Sequence, residues 1–560
     1  MSPEPAKAPP QRAFSSAAAR HWSSLLFDDA SALRLILIAG PLILASAWML
    51  ASPGRVVSRE MTWDLLFNLN GAWHLHNGHT AHVDFHDPLG RLNFLLTEIG
   101  FRFLGPSVRA FLFGELIVAA AIFVAATAAA VNRLPLLPAV LFVLFACQLI
   151  LIPINIGDLV TSYSFAMSYN SYCWSAAAIL SLILFLPPRG GRGVAWLDAA
   201  VTGGLLVGLY FLKLTYFAAA MFEVGVALLV SRHVQQHYKT WCAVGLAVAL
   251  NAVAPYNWAY LGDFWTALGA GAARANPTEQ FITLFANTVE LSLYTTGLVI
   301  AAMLWRAGQA PLRLPVAIGL MILIGMAVLS QNAQSRGIPL GLIVSFLLYD
   351  WVRGSPAIGS RRLMAGLMLA LMVLPVAYVV RTGAIVAGYH YKATRGSSLF
   401  VIDRTNLRGL AVPSEPDGIL SAFSSGQIDY TMFNRSRSVG PRYEMSQYEY
   451  IQTILEAADL FQSGRLSGGA VLLDQVNPLP FMLGRPPLRG ANLWMDDDFP
   501  AQPAERLFAE ADYVLVPKFA TNSTVTGSAI GLYGTYLTRH FPHRIETRSW
   551  IVLARRPLPA

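Results

Sequence analysis

The stretch NGAWHLHNGHTAHVDFHDPLG, Asn70 to Gly90, holds five of the chain's eleven histidines, with Asp84 and Asp87 near its end and Asp64 a few residues ahead of it. Asp64 sits between Trp63 and the run Leu65, Leu66, Phe67. A carboxylate among such neighbours is partly desolvated, which raises its pKa and makes it a better proton acceptor. The same pattern fits a helix cap or a turn residue, and pattern alone leaves both open. His79, His82, Asp84 and His86 offer nitrogen and oxygen ligands of the kinds that Zn²⁺, Mn²⁺ and Mg²⁺ accept. Their spacing matches no zinc signature, and His74 and His76 would point apart on a helix.

Cations form the second group. Lys213, in GLYFLKLTYF, lies near the middle of an apolar run from Ala199 to Val230. A lysine there is costly and needs a partner or a ligand. An anion such as a phosphate would supply one; snorkelling to the interface or pairing with Glu223 would also serve. Arg336, in SQNAQSRGIPL, is a second anion candidate, able to clamp two oxygens where a lysine acts as a point charge. SYSFAMSYNSYCW (162–174) adds Tyr169 and Asn170, suited to a sugar ring or to an interfacial aromatic belt. Asp496, Asp497 and Asp498 read as a solvated acidic turn.

Apolar helices must position these groups. The chain has 560 residues, 55% hydrophobic and 13% charged, with mean hydropathy +0.49. An ordinary soluble protein is about 25% charged. Apolar runs of about 16 to 22 residues suit a bilayer, and about eleven are expected: 33–52, 109–131, 136–152, 172–187, 197–212, 214–231, 241–259, 287–305, 314–330, 338–352 and 362–383. Every second loop is basic, carrying Arg133, then Arg189 and Arg192, Arg232 and Lys239, Arg306 and Arg313, and Arg353, Arg361 and Arg362. This puts the N-terminus in the cytoplasm and the C-terminus outside. Leu92–Leu104, interrupted by Glu98 and Arg102, reads as an amphipathic helix in the outer interface. The net charge of +8 is thereby used in topology, which argues against nucleic acid. Cys147, Cys173 and Cys242 sit in or beside apolar runs as small apolar side chains.

The expected organisation is a disordered cytoplasmic tail (1–31), a membrane domain (32–383) with a large first external loop (53–108), and an outer α/β or α+β domain (384–560). Strands are expected at AVLLD (470–474) and YVLVP (513–517), with a closing hairpin over 544–556 and helices near 446–462 and 503–511.

One span, an external loop with the early Asp64, GAWHLHNG, HVDFHDPLG and an interfacial helix ending FLGPSVRA together resemble the GT-C superfamily. These are polytopic membrane glycosyltransferases that use polyprenyl-phosphate sugars, with the lipid A aminoarabinose transferases and protein O-mannosyltransferases the relatives in view. The resemblance covers about residues 33–383. It implies an inverting displacement at the sugar's anomeric carbon, with Asp64 as general base and a lipid phosphate leaving. Lys213 and Arg336 would hold that phosphate. Tyr169, Asn170 and His82 would touch sugar or acceptor, and a divalent cation serves some members and not others. Asp64 is followed by Leu65 where the family commonly has a second acid, so Asp84 or Asp87, with His86, would fill that role. The implied partners are a polyprenyl-phosphate sugar donor, a lipid or polysaccharide acceptor and membrane lipid, at the outer face of a bacterial inner membrane. The main alternative is a transporter or flippase, with Lys213, Glu223 and Glu115 lining a path. No internal repeat of the kind common in transporters is present.

Overall fold

The computed structural model describes residues 30–131, 133–154, 164–189, 192–252, 257–274, 288–331, 340–354, 383, 385–396, 398–414, 433, 445–495 and 502–557. Arg336, the acidic run 496–498, nearly all of the tail expected over 1–31, and nearly all of the span expected over 362–383 lie outside the described residues.

The first helix, α1 (Ala32–Ala51), starts where the Ser31 hydroxyl accepts the Arg34 N–H. It buries Leu35, Ala39, Ile43 and Leu50 at helical spacing and exposes Leu33, Leu37, Leu44 and Trp48, an apolar outer face suited to lipid. After β1 (Val56–Val57) the first loop forms α2 (Thr62–His76), β2 (Phe85–His86) and α3 (Leu92–Leu104). Helices α4 (Arg109–Val131), α5 (Leu136–Leu151) and α6 (Ser168–Phe185) follow. Nearly every residue of α5 and α6 is buried, so they form the centre of the bundle. Around them stand α7 (Arg192–Leu212), α8 (Leu214–Val230), α9 (Arg232–Ala252), α10 (Asn257–Arg274), α11 (Thr288–Arg306), α12 (Arg313–Gln331) and α13 (Gly341–Gly354). Among the described residues, three stretches, Ala32–Ala51, Arg109–Val131 and Val194–Leu212, are long and apolar enough to cross a membrane, and four shorter apolar helices accompany them. The chain is a polytopic helical membrane protein.

Two expectations shift. The span expected at 241–259 is α9, which begins at Arg232: the polar segment RHVQQHYK continues the helix, where a reading of apolar runs alone stops. A new helix, α10, then occupies much of what was expected to be loop. On the side of α5 and α6 away from the site, Arg133 ties the helix ends together. Its guanidinium donates to Asp198 Oδ2 at 2.7 Å and to the Leu186 and Ala129 carbonyls, fully buried.

The C-terminal region contains α14 (Ala387–Ala393), β3 (Leu399–Val401), β4 (Leu410–Pro413), α15 (Gln447–Gln462), β5 (Ala470–Leu472), α16 (Leu479–Leu483), β6 (Ala491–Asn492), α17 (Ala504–Leu507), β7 (Tyr513–Pro517), α18 (Ser523–His540), β8 (His543–Glu546) and β9 (Trp550–Ala554). Its main sheet has the order β5-β7-β9-β8, with β5 parallel to β7 and the rest antiparallel. Two short parallel pairings join it to the first loop, Val56 and Val57 with Leu410 and Ala411, and Phe85 and His86 with Ala491 and Asn492. Asn522, which opens the sequence Asn-Ser-Thr, caps α18 by accepting the Thr524 and Val525 N–H groups.

Candidate active site

Asp64 lies in the first turn of α2, where the helix N-terminus favours negative charge. Its carboxylate accepts the N–H of Met167, the residue before α6. Burial raises its pKa to about 7, against the lowering effect of that hydrogen bond. The two turns interlock: Ser164 Oγ donates to the Glu60 carbonyl at 2.9 Å. Among the described residues, four non-glycines have left-handed backbones, and Met61 (φ 49°), His82 (φ 66°) and Met167 (φ 53°) are three of them, all at this site. Such strain gathers where surrounding structure holds a functional geometry.

Tyr169, two residues beyond Met167, is within electrostatic reach of both Asp64 and Asp87. Its ring also faces the Lys213 ammonium at 5.1 Å, and Tyr216 faces it at 5.8 Å. Lys213 is the single extended residue (φ −159°, ψ 114°) between α7 and α8. Its Nζ donates to Asn170 Oδ1 at 3.2 Å, while Asn170 Nδ2 is buried and has no hydrogen-bond partner among the described residues. Gly90 brings the loop of Asp87 against this break. Its N–H donates to the Leu212 carbonyl at 3.0 Å, and a Cβ placed there would lie 2.0 Å from the Phe211 carbonyl oxygen. Asp87, 2% exposed, accepts the Leu89 N–H at 2.7 Å. Burial pushes its carboxyl well above the usual range, against that hydrogen bond and with the help of the Asp263 charge. Asp64, Asp87, Tyr169, Asn170 and Lys213 thus meet from four separate chain segments.

Asp84 goes elsewhere. Its carboxylate accepts the Thr80 N–H at 2.8 Å and faces Arg489 of the C-terminal region at 3.8 Å. Asp84 lies in the turn before β2 and Asp87 just after it, and of the two candidate partner acids only Asp87 reaches the site. The histidines are mostly spoken for within the first loop. His74 Nδ1 meets His79 Nδ1 at 3.0 Å, and burial, then the charge of His79, lowers the His74 pKa to about 3. His76 lies 3.5 Å from Glu98, which also holds Arg102. His82 and His86 share one carboxylate, that of Asp263 on α10, through their Nδ1 atoms at 3.0 and 2.9 Å. Burial raises Asp263, but the two histidine bonds outweigh it and hold the carboxyl below its usual range. The four residues considered as metal ligands therefore go to different partners: His79 to His74, Asp84 to Thr80 and Arg489, and His82 and His86 together to Asp263. Among the described residues no set of three or more His, Cys, Asp or Glu side chains is arranged to hold a metal ion.

Sequence reasoning missed Asp263, Met167 and Gly90. Asp263 is the lone acid in AYLGDFW, a carboxylate among aromatics like Asp64, and that signal was available. Glu115 and Glu223, the acids of the transporter alternative, each face an α6 hydroxyl: Tyr172 at 3.4 Å and Ser181 at 2.5 Å.

Fold and site together define a polytopic helical membrane protein with an acid–tyrosine–lysine cluster where its helices meet an α/β region. No protein-family model and no curated protein matches the chain. Two solved structures are similar to it: ArnT from Cupriavidus metallidurans in the apo state (TM-score 0.44, 13% identity, 97% of this chain and 100% of that one), and the same protein bound to undecaprenyl phosphate (TM-score 0.43, 13% identity, 94% and 98%).

Proposed function

We propose that the protein is a membrane glycosyltransferase, moving a hexosyl or pentosyl group from a polyprenyl-phosphate donor to an acceptor hydroxyl at the outer face of a bacterial inner membrane. The observation that carries this reading is the convergence of a neutral-range carboxyl, Asp64, with a lysine held in an aromatic and amide frame. Asp64 takes the proton of the attacking hydroxyl, since a base whose pKa is near the working pH is well matched to that task. Lys213 stands ready for the phosphate that leaves as the anomeric carbon inverts. A fixed cation in a site shielded from water stabilises developing negative charge more strongly than one in water. Asp87, whose carboxyl burial holds well above its usual range, is the second acid that the first loop brings to the Lys213 break. Asn170, through its unpartnered Nδ2, and Tyr169 hold the sugar.

The test is transfer by the purified protein in detergent, with labelled polyprenyl-phosphate sugars and an envelope-lipid extract as acceptor. Label should move to a new product from at least one donor with wild type. Absence of transfer from every donor by folded protein would sink the reading. In that case uptake of the same lipids into vesicles tests the transporter alternative.

A further inference from the structure

The C-terminal end of α1 carries cations that the active site does not use. Two segments run side by side there, and both pass from apolar through aromatic to basic. On α1 the exposed Leu44 and Trp48 lie one turn apart, and the exposed Arg55 follows just past the helix end. On the stretch through α14 the exposed Ile385, Tyr389 and Lys392 recur at helical spacing, and the exposed Arg395 follows past the end of that helix. Two contacts hold the segments in step. The Trp48 and Tyr391 ring centroids are 5.6 Å apart, and Arg55 Nη1 donates to the Thr394 carbonyl at 3.4 Å. The Arg395 guanidinium lies over the Tyr391 ring, 4.1 Å from its centroid. Arg55, Lys392 and Arg395 therefore share one small patch.

These cations have no acidic counterpart. Elsewhere on the surface Arg404 is met by Asp459, and Arg544 by Glu546. None of the three has a carboxylate within ion-pair distance among the described residues. The C-terminal carbonyls of α14 account for part of the charge, through the bond from Arg55 to Thr394. The loop charges put this end of α1 on the outer side, where basic residues have no topological use. The order apolar, aromatic, basic is that of a lipid leaflet read outward: acyl chain, interface, headgroup.

We propose that this patch is a binding site for an anionic phospholipid. Arg55, Lys392 and Arg395 hold its phosphodiester, and an acyl chain lies along Leu44 and Trp48. The guanidinium groups engage phosphate oxygens in pairs, while the lysine adds a point charge. Tyr389 and Trp48 occupy the level between headgroup and chain. Lipid held here stands outside the transfer chemistry, and its binding is measured without any sugar donor.

The test is native mass spectrometry of the full-length chain in detergent, with equal amounts of dioleoyl phosphatidylglycerol and dioleoyl phosphatidylcholine. Wild type should retain one phosphatidylglycerol about tenfold in preference to phosphatidylcholine, a scale discounted for exposed charges, and added salt should weaken it. The triple variant Arg55→Gln, Lys392→Gln, Arg395→Gln should bind the two lipids equally. A charge-matched control at other exposed arginines, Arg408→Gln, Arg465→Gln, Arg539→Gln, should keep the preference. Lys392→Gln alone should reduce the preference about threefold, and it carries the test if the triple variant does not fold. No preference in wild type, or a preference that survives the triple variant, would overturn the proposal. So would an equal loss in the charge-matched control, which would show an effect of net charge alone. Displacement of the lipid by an equal concentration of glycerol phosphate would overturn the lipid assignment, since the chain would then add nothing.

Discussion

Replacing Asp64 by Asn separates what the carboxylate does for catalysis from what it costs the fold. Its pKa of about 7, against 3.8 for an ordinary aspartate, is a rise of about 3 units. At 1.36 kcal/mol per unit, holding the ionised form in the folded protein costs at most ~4 kcal/mol. Asp64 keeps some contact with solvent, so a realised cost of about 1–3 kcal/mol is the working figure. The sign follows from proton binding. Between about pH 4 and 7 the unfolded chain has released this proton and the folded chain has not, so stability falls as pH rises through that window and levels off above it. Asn carries no such cost. Asp64→Asn should therefore melt higher than wild type at pH 8, with the gap shrinking toward pH 5. Transfer by wild type should fall about tenfold per pH unit below about 7, and the variant should lose about 100- to 10,000-fold at every pH. The assays are scanning fluorimetry in detergent and transfer rate, both against pH. A variant that melts lower than wild type at pH 8, or a melting gap independent of pH, would refute the burial argument.

Three further changes probe how the site is assembled. Lys213→Ala should raise donor KM about 10- to 100-fold, the scale of a charge-assisted contact to phosphate, and leave acceptor KM unchanged in steady-state transfer. Gly90→Ala forces a methyl group against the Phe211 carbonyl. It should cost about 1–3 kcal/mol in stability and lower kcat by displacing Asp87 from the Lys213 break, read by Tm and transfer together. Asp263→Ala leaves His82 and His86 with buried, unpartnered nitrogens and should cost about 1–3 kcal/mol per group, seen as a lowered Tm and faster proteolysis of the 79–90 loop.

Local pattern carried the elements well. AVLLD and YVLVP form β5 and β7, the segment 544–556 forms most of the β8–β9 hairpin, and the stretch near 446–462 forms α15. These were legible because period-2 and period-3.6 patterns are local properties. Helix α10 was not, because its sequence mixes exposed Trp258 and Trp265 with glycines and a single acid. Within the site, Asp64 and Lys213 stood out as charges in apolar surroundings. Asp84 and Asp87 looked alike because composition does not say that a turn holds the first while the second follows β2. The links that join them, Asp263 to the histidines, Met167 to Asp64 and Gln447 to Thr62, span about 100 to 385 residues of chain. Nothing in one sequence records contacts at that separation.

The most direct test of the central claim is a single-turnover experiment with the purified chain, comparing wild type, Asp64→Asn and Lys213→Ala with one labelled polyprenyl-phosphate sugar. Wild type should transfer the label, Asp64→Asn should retain the bound donor without transferring it, and Lys213→Ala should transfer it only at raised donor concentration. Transfer by Asp64→Asn at a near-normal rate would contradict that claim.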